Sequence, residues 1–278
     1  MNLVALGNVC IDKNKIEKSL YKSAGGPPKF MSLFFSKVKD ASFGIIASYG
    51  ADFLPYKKGL NLYPLRPNAS NTLVYENIIK NRKRTQKCHF YKEALPPVID
   101  KNITNIIRKS DVLFITPLIP HFPVEYIKKA VKIVGKNCLK MLLPQGYFRQ
   151  FDANGNVLFR EFKEAEVILP LVDIVILSDQ DYPNIEKLAL EWSNKYGTTF
   201  IITKAHKGAT VINKNRRSII KVNPIPAKQI FDSIGAGDVF AAAFGYYYFK
   251  NKDLLKSVKL ANQAAREKLI LNATILSQ

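Results

Sequence analysis

The sequence is poor in the residues that mark several protein classes. Among its 278 residues it has three cysteines, three histidines and one tryptophan. Cys10, Cys88 and Cys138 lie far apart and form no C-x-x-C pair, which excludes a disulfide scaffold and a thiolate zinc site. No H-E-x-x-H motif is present, and His89, His121 and His206 share no metal-ligand spacing. No apolar run approaches the roughly 20 residues that a membrane helix needs. Met1 leads directly into Asn2–Gly7, with neither a basic segment nor a long apolar one, so the expectation is no signal peptide, no membrane partner and a cytoplasmic setting. Gly (14) and Pro (15) are too few for a collagen-like or low-complexity chain.

Acidic residues are also scarce. Asp and Glu number 22 against 42 Lys and Arg, a formal charge of +20. Of the basic residues 33 are Lys and 9 are Arg. Arg is the side chain suited to bidentate phosphate and base contacts. The Lys are scattered, and the densest clusters, Arg82–Arg84 and Lys214–Arg217, are short. No nucleic-acid partner is therefore expected, although a positive field favours an anionic substrate.

What is present is a core. Hydrophobic residues make up 47% of the chain, which rules out wholesale disorder. Short β-branched runs at Leu3–Leu6, Phe43–Ser48, Asp111–Thr116, Lys140–Leu143, Asp173–Leu177 and Phe200–Thr203 alternate with helical patterns. Helices are expected over Lys29–Val38, Val124–Val134, Tyr182–Tyr196, Ala236–Lys250 and Asp253–Leu271. Continuous apolar strands separated by helices predict a parallel α/β sheet covered on both faces. Two stretches break the alternation. A strand near Ile11–Tyr21, with strand-like runs between about 60 and 92, predicts a small β flap, either a lid over a site or an ordinary edge sheet. The absence of linkers and repeats predicts one body, residues 1–278.

The chemically informative segment is Phe231-Asp232-Ser233-Ile234-Gly235-Ala236-Gly237-Asp238, followed by a small-residue helix. Gly235 and Gly237 permit a tight turn and close approach to a ligand. The free N–H groups of the first helical turn then form an anion site. From the residues alone, Asp238 either caps this helix or accepts a proton from an attacking hydroxyl. Other phosphate-binding designs are absent: there is no G-x-x-x-x-G-K-[ST], no G-x-G-x-x-G after the first strand and no H-R-D or D-F-G.

Asp232–Asp238 with its helix resembles the second signature of the ribokinase/PfkB family of carbohydrate kinases. Other features follow in the family's order: Gly7-Asn8 then Asp12, the Gly25-Gly26 pair, the Asn71–Tyr91 strands, Thr203–Ala209, and Ala261-Asn262-Gln263-Ala264-Ala265. The resemblance implies a ribokinase-like, doubly wound, mostly parallel sheet with helices on both faces and a small β lid from about 11–22 and 60–92. It implies transfer of the γ-phosphoryl group of ATP, with Mg²⁺, to an alcohol. Asp238 is then the base, and the amides of Gly235, Ala236 and Gly237 the anion hole. Asp12, Gly25 and Gly26 face the substrate. Ser178, Thr203, Lys204, Gly208 and Asn262 lie on the nucleotide side. Asp181 and Asp232 handle metal, Asp232 through its water shell.

Three departures bear on specificity. Phe30 stands where the family's di-glycine motif continues to an Asn, Ser178–Asp181 replaces N-x-x-E, and Ala205 replaces a loop glycine. Gly7-Asn8-Val9-Cys10-Ile11-Asp12, Phe30 and Pro144-Gln145-Gly146-Tyr147-Phe148-Arg149 resemble the myo-inositol kinase branch. That likeness makes Gln145 and Arg149 candidate substrate contacts and a neutral polyol the expected substrate; otherwise Pro144–Gly146 is simply a turn. Ribose, fructose, 2-keto-3-deoxygluconate or adenosine as substrate, or a non-catalytic sugar- or nucleotide-binding relative, are the alternatives. A monomer and a homodimer are both open.

Overall fold

The computed structural model describes residues 1–16, 19–80, 83–223, 225–226 and 233–275. Its strands are β1 (Asn2–Gly7), β2 (Cys10–Ile16), β3 (Ser19–Gly25), β4 (Ser42–Ile46), β5 (Leu62–Tyr63), β6 (Leu73–Lys80), β7 (Lys83–His89), β8 (Val112–Thr116), β9 (Leu139–Leu142), β10 (Arg149–Phe151), β11 (Val157–Phe159), β12 (Ile174–Ser178), β13 (Thr199–Thr203), β14 (Ala209–Asn213) and β15 (Arg216–Ile220). The helices are α1 (Pro27–Phe35), α2 (Lys101–Arg108), α3 (Val124–Ile133), α4 (Ala165–Ile168), α5 (Ile185–Tyr196), α6 (Ala236–Asn251) and α7 (Leu254–Ile275).

Nine strands form the main sheet in the order β15-β14-β13-β12-β9-β8-β1-β4-β5. All pairs from β13 to β5 are parallel, and β14 and β15 close the other edge antiparallel. The central strands are buried on both faces, as their unbroken apolar sequences require. Alternation then divides their side chains between two cores. Val4, Leu6, Leu113 and Ile115 pack on one side with Ile103 and Ile107 of α2, Ile127 of α3 and Ala189 of α5. Leu3, Ala5, Val112 and Phe114 pack on the other with Met31 of α1, Phe240 and Phe244 of α6 and Val258 of α7. The small residues of α6 let it lie close on the sheet: a Cβ on Gly245 would come within 2.6 Å of the Phe114 ring and 2.9 Å of the Met141 sulfur. The aromatic run after them packs, with Tyr246 and Tyr247 edge-on to Phe34.

A second sheet has the order β3-β2-β6-β7, with β2 and β6 parallel and the outer pairs antiparallel. Ile11–Tyr21 thus contains parts of two strands. Residues 60–72 do not extend the second sheet, since Leu62–Tyr63 pairs with β4 at the edge of the main one. The β14–β15 hairpin and α2 are further elements that the alternation of strands and helices does not reveal.

Candidate active site

The parallel strands carry their C-terminal ends to one edge, where ligands bind in open α/β sheets. β1 ends at Gly7, where a Cβ would stand 2.2 Å from Thr116 Oγ1, so no side chain intrudes. Asn8 is buried and used structurally: its Nδ2 donates to the Ala94 carbonyl at 2.9 Å, and its Oδ1 accepts from Leu118 N at 2.9 Å.

Asp12, on β2, is also buried. Gly25 of the neighbouring strand leaves room for its carboxylate, for a Cβ there would fall 2.1 Å from Asp12 Oδ2. Gly26 caps α1 with φ +90°, facing the Asn8 carbonyl. Cys10 donates to Asp12 Oδ1 at 3.4 Å. Burial, reinforced by that carboxylate, pushes the Cys10 thiol well up, so it stays protonated and inert.

Gln145 opens a short 3-10 turn after β9, and Arg149 follows it. The buried Arg149 guanidinium lies 5.1 Å from the centre of the Tyr75 ring. Burial opposes its charge, but Tyr75 and Asp181 hold its pKa above the ordinary guanidinium value. Tyr75 donates its own hydroxyl to the Leu118 carbonyl at 2.7 Å. Asp181 accepts from Ser178 N at 2.7 Å and also from the Gln145 side chain. Its pKa is raised by burial, against the pull of the Ser178 amide and Arg149.

Asp238 lies half-buried in the first turn of α6. Its pKa is pushed up to about 7, first by burial and then by the Asp181 and Asp12 carboxylates, with Arg149 and Lys268 opposing. Three carboxylates and two cations from separate parts of the chain thus sense one another at one edge of the sheet. A carboxyl held near 7 can take up a proton at neutral pH, the property a general base needs.

The turn before Asp238 is built by Gly235, at φ +78°. A Cβ there would overlap the Phe30 ring at 2.2 Å, so Phe30 packs directly on the turn. Of the three amides expected to face an anion, that of Ala236 is engaged, donating to the Ser233 carbonyl at 3.2 Å. Those of Gly235 and Gly237 have no acceptor among the described residues. Asp232 lies outside the described residues.

At the ends of β12 and β13, Thr203 donates to the Leu177 carbonyl at 3.1 Å and Ser178 Oγ accepts from Gln180 N at 3.2 Å. Lys204 is spoken for: its N–H meets the Gly208 carbonyl at 2.8 Å and its ammonium pairs with Glu186. Gly208, at φ +92°, crosses the Ile220 carbonyl so closely that a Cβ would stand 2.0 Å away. Ala205 has φ +47°, so the loop keeps a glycine-like conformation without the glycine. Asn262, on α7, has its Nδ2 sealed from solvent with no partner among the described residues, a donor that suits a nucleotide.

Among the described residues no three His, Cys, Asp or Glu side chains group as a metal cage. That donor set still suits Mg²⁺, which keeps several waters and needs only one or two carboxylates besides substrate phosphates. Asp181 is a carboxylate available for that role among the described residues. No helix among the described residues is long and apolar enough to cross a membrane.

Sequence reasoning missed Tyr75 and Lys268. A tyrosine in a strand and a lysine in a helix carry no local signal; only the pairing of β6 with β2 and the packing of α7 on α6 bring them here.

A family model for pfkB family carbohydrate kinases matches residues 101–270. The cytidine kinase of Thermococcus kodakarensis is 26% identical over 160 residues, 57% of this chain and 55% of that protein. The chain spans about half the length, or less, of the curated relatives it matches. Among solved structures, a pyrophosphate-dependent ribokinase-family kinase complexed with a pyrophosphate analog and myo-inositol superposes with a TM-score of 0.76 at 17% identity, over 97% of this chain and 95% of that one. The adenosine kinase of Sinorhizobium meliloti gives 0.70 at 14% identity, over 95% and 92%. These likenesses fix a ribokinase-like α/β fold, and the family match over 101–270 takes in Arg149, Asp181 and the turn that carries Asp238: the chain belongs to the pfkB family of carbohydrate kinases.

Proposed function

We propose that the chain is an ATP-dependent kinase that phosphorylates a hydroxyl of a small polyol or sugar, with myo-inositol as the leading acceptor. The observation that carries this reading is Asp238, held near neutral pKa beside the Gly235 and Gly237 amides, which have no acceptor among the described residues. Asp12, Gln145 and Arg149 bind the acceptor. Asp12 accepts from ring hydroxyls, while Gln145 both donates and accepts. Asp238 takes the proton of the attacking hydroxyl as its oxygen bonds to the γ-phosphorus. The bond from that phosphorus to the bridging oxygen breaks, and ADP leaves with the electron pair. The Gly235 and Gly237 amides stabilise charge on the phosphoryl oxygens, the main task in such transfers. Mg²⁺ neutralises donor phosphate charge when bound, with Asp181, and Asp232 through water, as its protein partners. Ser178, Thr203, Gly208 and Asn262 line the nucleotide side, where Asn262 Nδ2 has a hydrogen bond to give. The second sheet, which carries Asp12 and Tyr75, closes over the acceptor as a lid on a single body of 278 residues.

The solved neighbour with bound myo-inositol supports that choice of acceptor. The cytidine kinase relative favours a nucleoside as the second reading. The test is product release with Mg-ATP, and separately with pyrophosphate, over a panel of myo-inositol, ribose, fructose, 2-keto-3-deoxygluconate, adenosine and cytidine. Turnover with myo-inositol supports the first reading. Turnover with a nucleoside alone replaces it with the second, and ATP binding without any turnover contradicts both.

A further inference from the structure

Lys268, in α7, is buried at 7% exposure. Lysine is almost never so buried without a partner, because an ammonium loses its hydration there. Lys268 Nζ donates to the carbonyl of Ile234, the residue immediately before Gly235. It also stands 6.0 Å from the centre of the Phe30 ring, the ring on which Gly235 packs.

A trans peptide unit is planar and its C=O and N–H point in opposite directions. The carbonyl of Ile234 and the amide of Gly235 belong to one such unit. Holding the carbonyl on the Lys268 side therefore directs the Gly235 N–H the other way. A cation on the carbonyl also draws electron density along the unit, making the N–H a stronger donor. We propose that Lys268 is a positioning residue for phosphoryl transfer, which orients and polarises the Gly235 amide through the Ile234 carbonyl. This inference rests on the kinase reading above and assigns a role to a side chain that does not itself touch substrate.

A purely structural lysine would change stability and leave kcat and pyrophosphate affinity alone.

The experiment compares wild type, K268M, K268Q and K268R in the full chain. Thermal unfolding identifies the variants that fold; K268Q keeps a donor without charge if K268M does not fold. The neutral variants are expected to lose about 10- to 100-fold in kcat, with KM for the acceptor changed less than about threefold. K268R retains wild-type behaviour. Calorimetric titration with inorganic pyrophosphate is a readout independent of the acceptor, with affinity expected to fall about tenfold in the neutral variants. Unchanged kcat in a folded neutral variant overturns the proposal. Equal pyrophosphate affinity in wild type and that variant, or none in either, also overturns it. Absence of turnover in wild type, with pyrophosphate bound more weakly by the neutral variants, instead removes the kinase reading and leaves Lys268 as the organiser of an anion-binding turn.

Discussion

At the scale of single residues, Asp238 combines two opposed demands. Burial and the neighbouring Asp181 and Asp12 carboxylates raise its pKa from 3.8 to about 7, which suits a base and costs the fold. The folded protein binds this proton more tightly than the unfolded chain does. Below the unfolded value both states are protonated and the favourable contribution is fully present. As pH rises through about 7 the folded state must give up its proton, and that contribution is lost. D238N should accordingly match wild type in thermal stability near pH 4 and exceed it at pH 8, while losing activity. Equal stability at both pH values would show that the carboxyl is not held in this environment.

At the scale of elements, the turns that lead into the cleft carry the backbone constraints. Gly235 is at φ +78° with no space for a side chain beside Phe30. G235A should destabilise the protein by about 1–3 kcal/mol, read from denaturant unfolding, and abolish anion binding. Wild-type stability in that variant would contradict the packing of α1 on the turn. Ala205 has the opposite problem, a side chain in a left-handed conformation at φ +47°. A205G should gain about 0.5–1 kcal/mol, once the greater freedom of unfolded glycine is set against the relieved strain. The helices and central strands were legible in the sequence because apolar runs and small-residue patterns are local signals; β13, α3 and α6 lie within a few residues of their expected bounds. The β14–β15 hairpin was not legible, since Ala209–Asn213 continues the apolar character of β13 and the reversal rests on the Asn213-Lys214-Asn215 turn, with Lys214 at φ +52°.

At the scale of the whole molecule, a net charge of +20 surrounds a site that, on the proposed reading, takes a neutral acceptor at Asp12 and a donor that carries phosphates. Screening should therefore act on the donor and leave a neutral acceptor alone. Raising ionic strength from about 0.05 to 0.5 M is expected to lower kcat/KM for the nucleotide severalfold, with KM for a neutral polyol little changed. Equal salt sensitivity for both would remove the field from the account. The motif Gly235–Asp238 and the residues Asp12, Gln145, Arg149 and Asp181 were legible singly, but their mutual electrostatics was not. It depends on β2, the turn after β9, the turn after β12 and the start of α6 meeting at one sheet edge. Topology also sets Lys268 behind the Gly235 turn and Tyr75 beneath Arg149.

The most direct test of the central claim follows the phosphoryl group itself. Phosphorus NMR of myo-inositol incubated with Mg-ATP and wild-type protein should show a phosphomonoester signal growing in step with ADP. D238N should lower that rate by about 10²–10⁴-fold while still binding nucleotide. A phosphomonoester formed at the same rate by D238N would contradict the role assigned to Asp238 and to the turn that presents it.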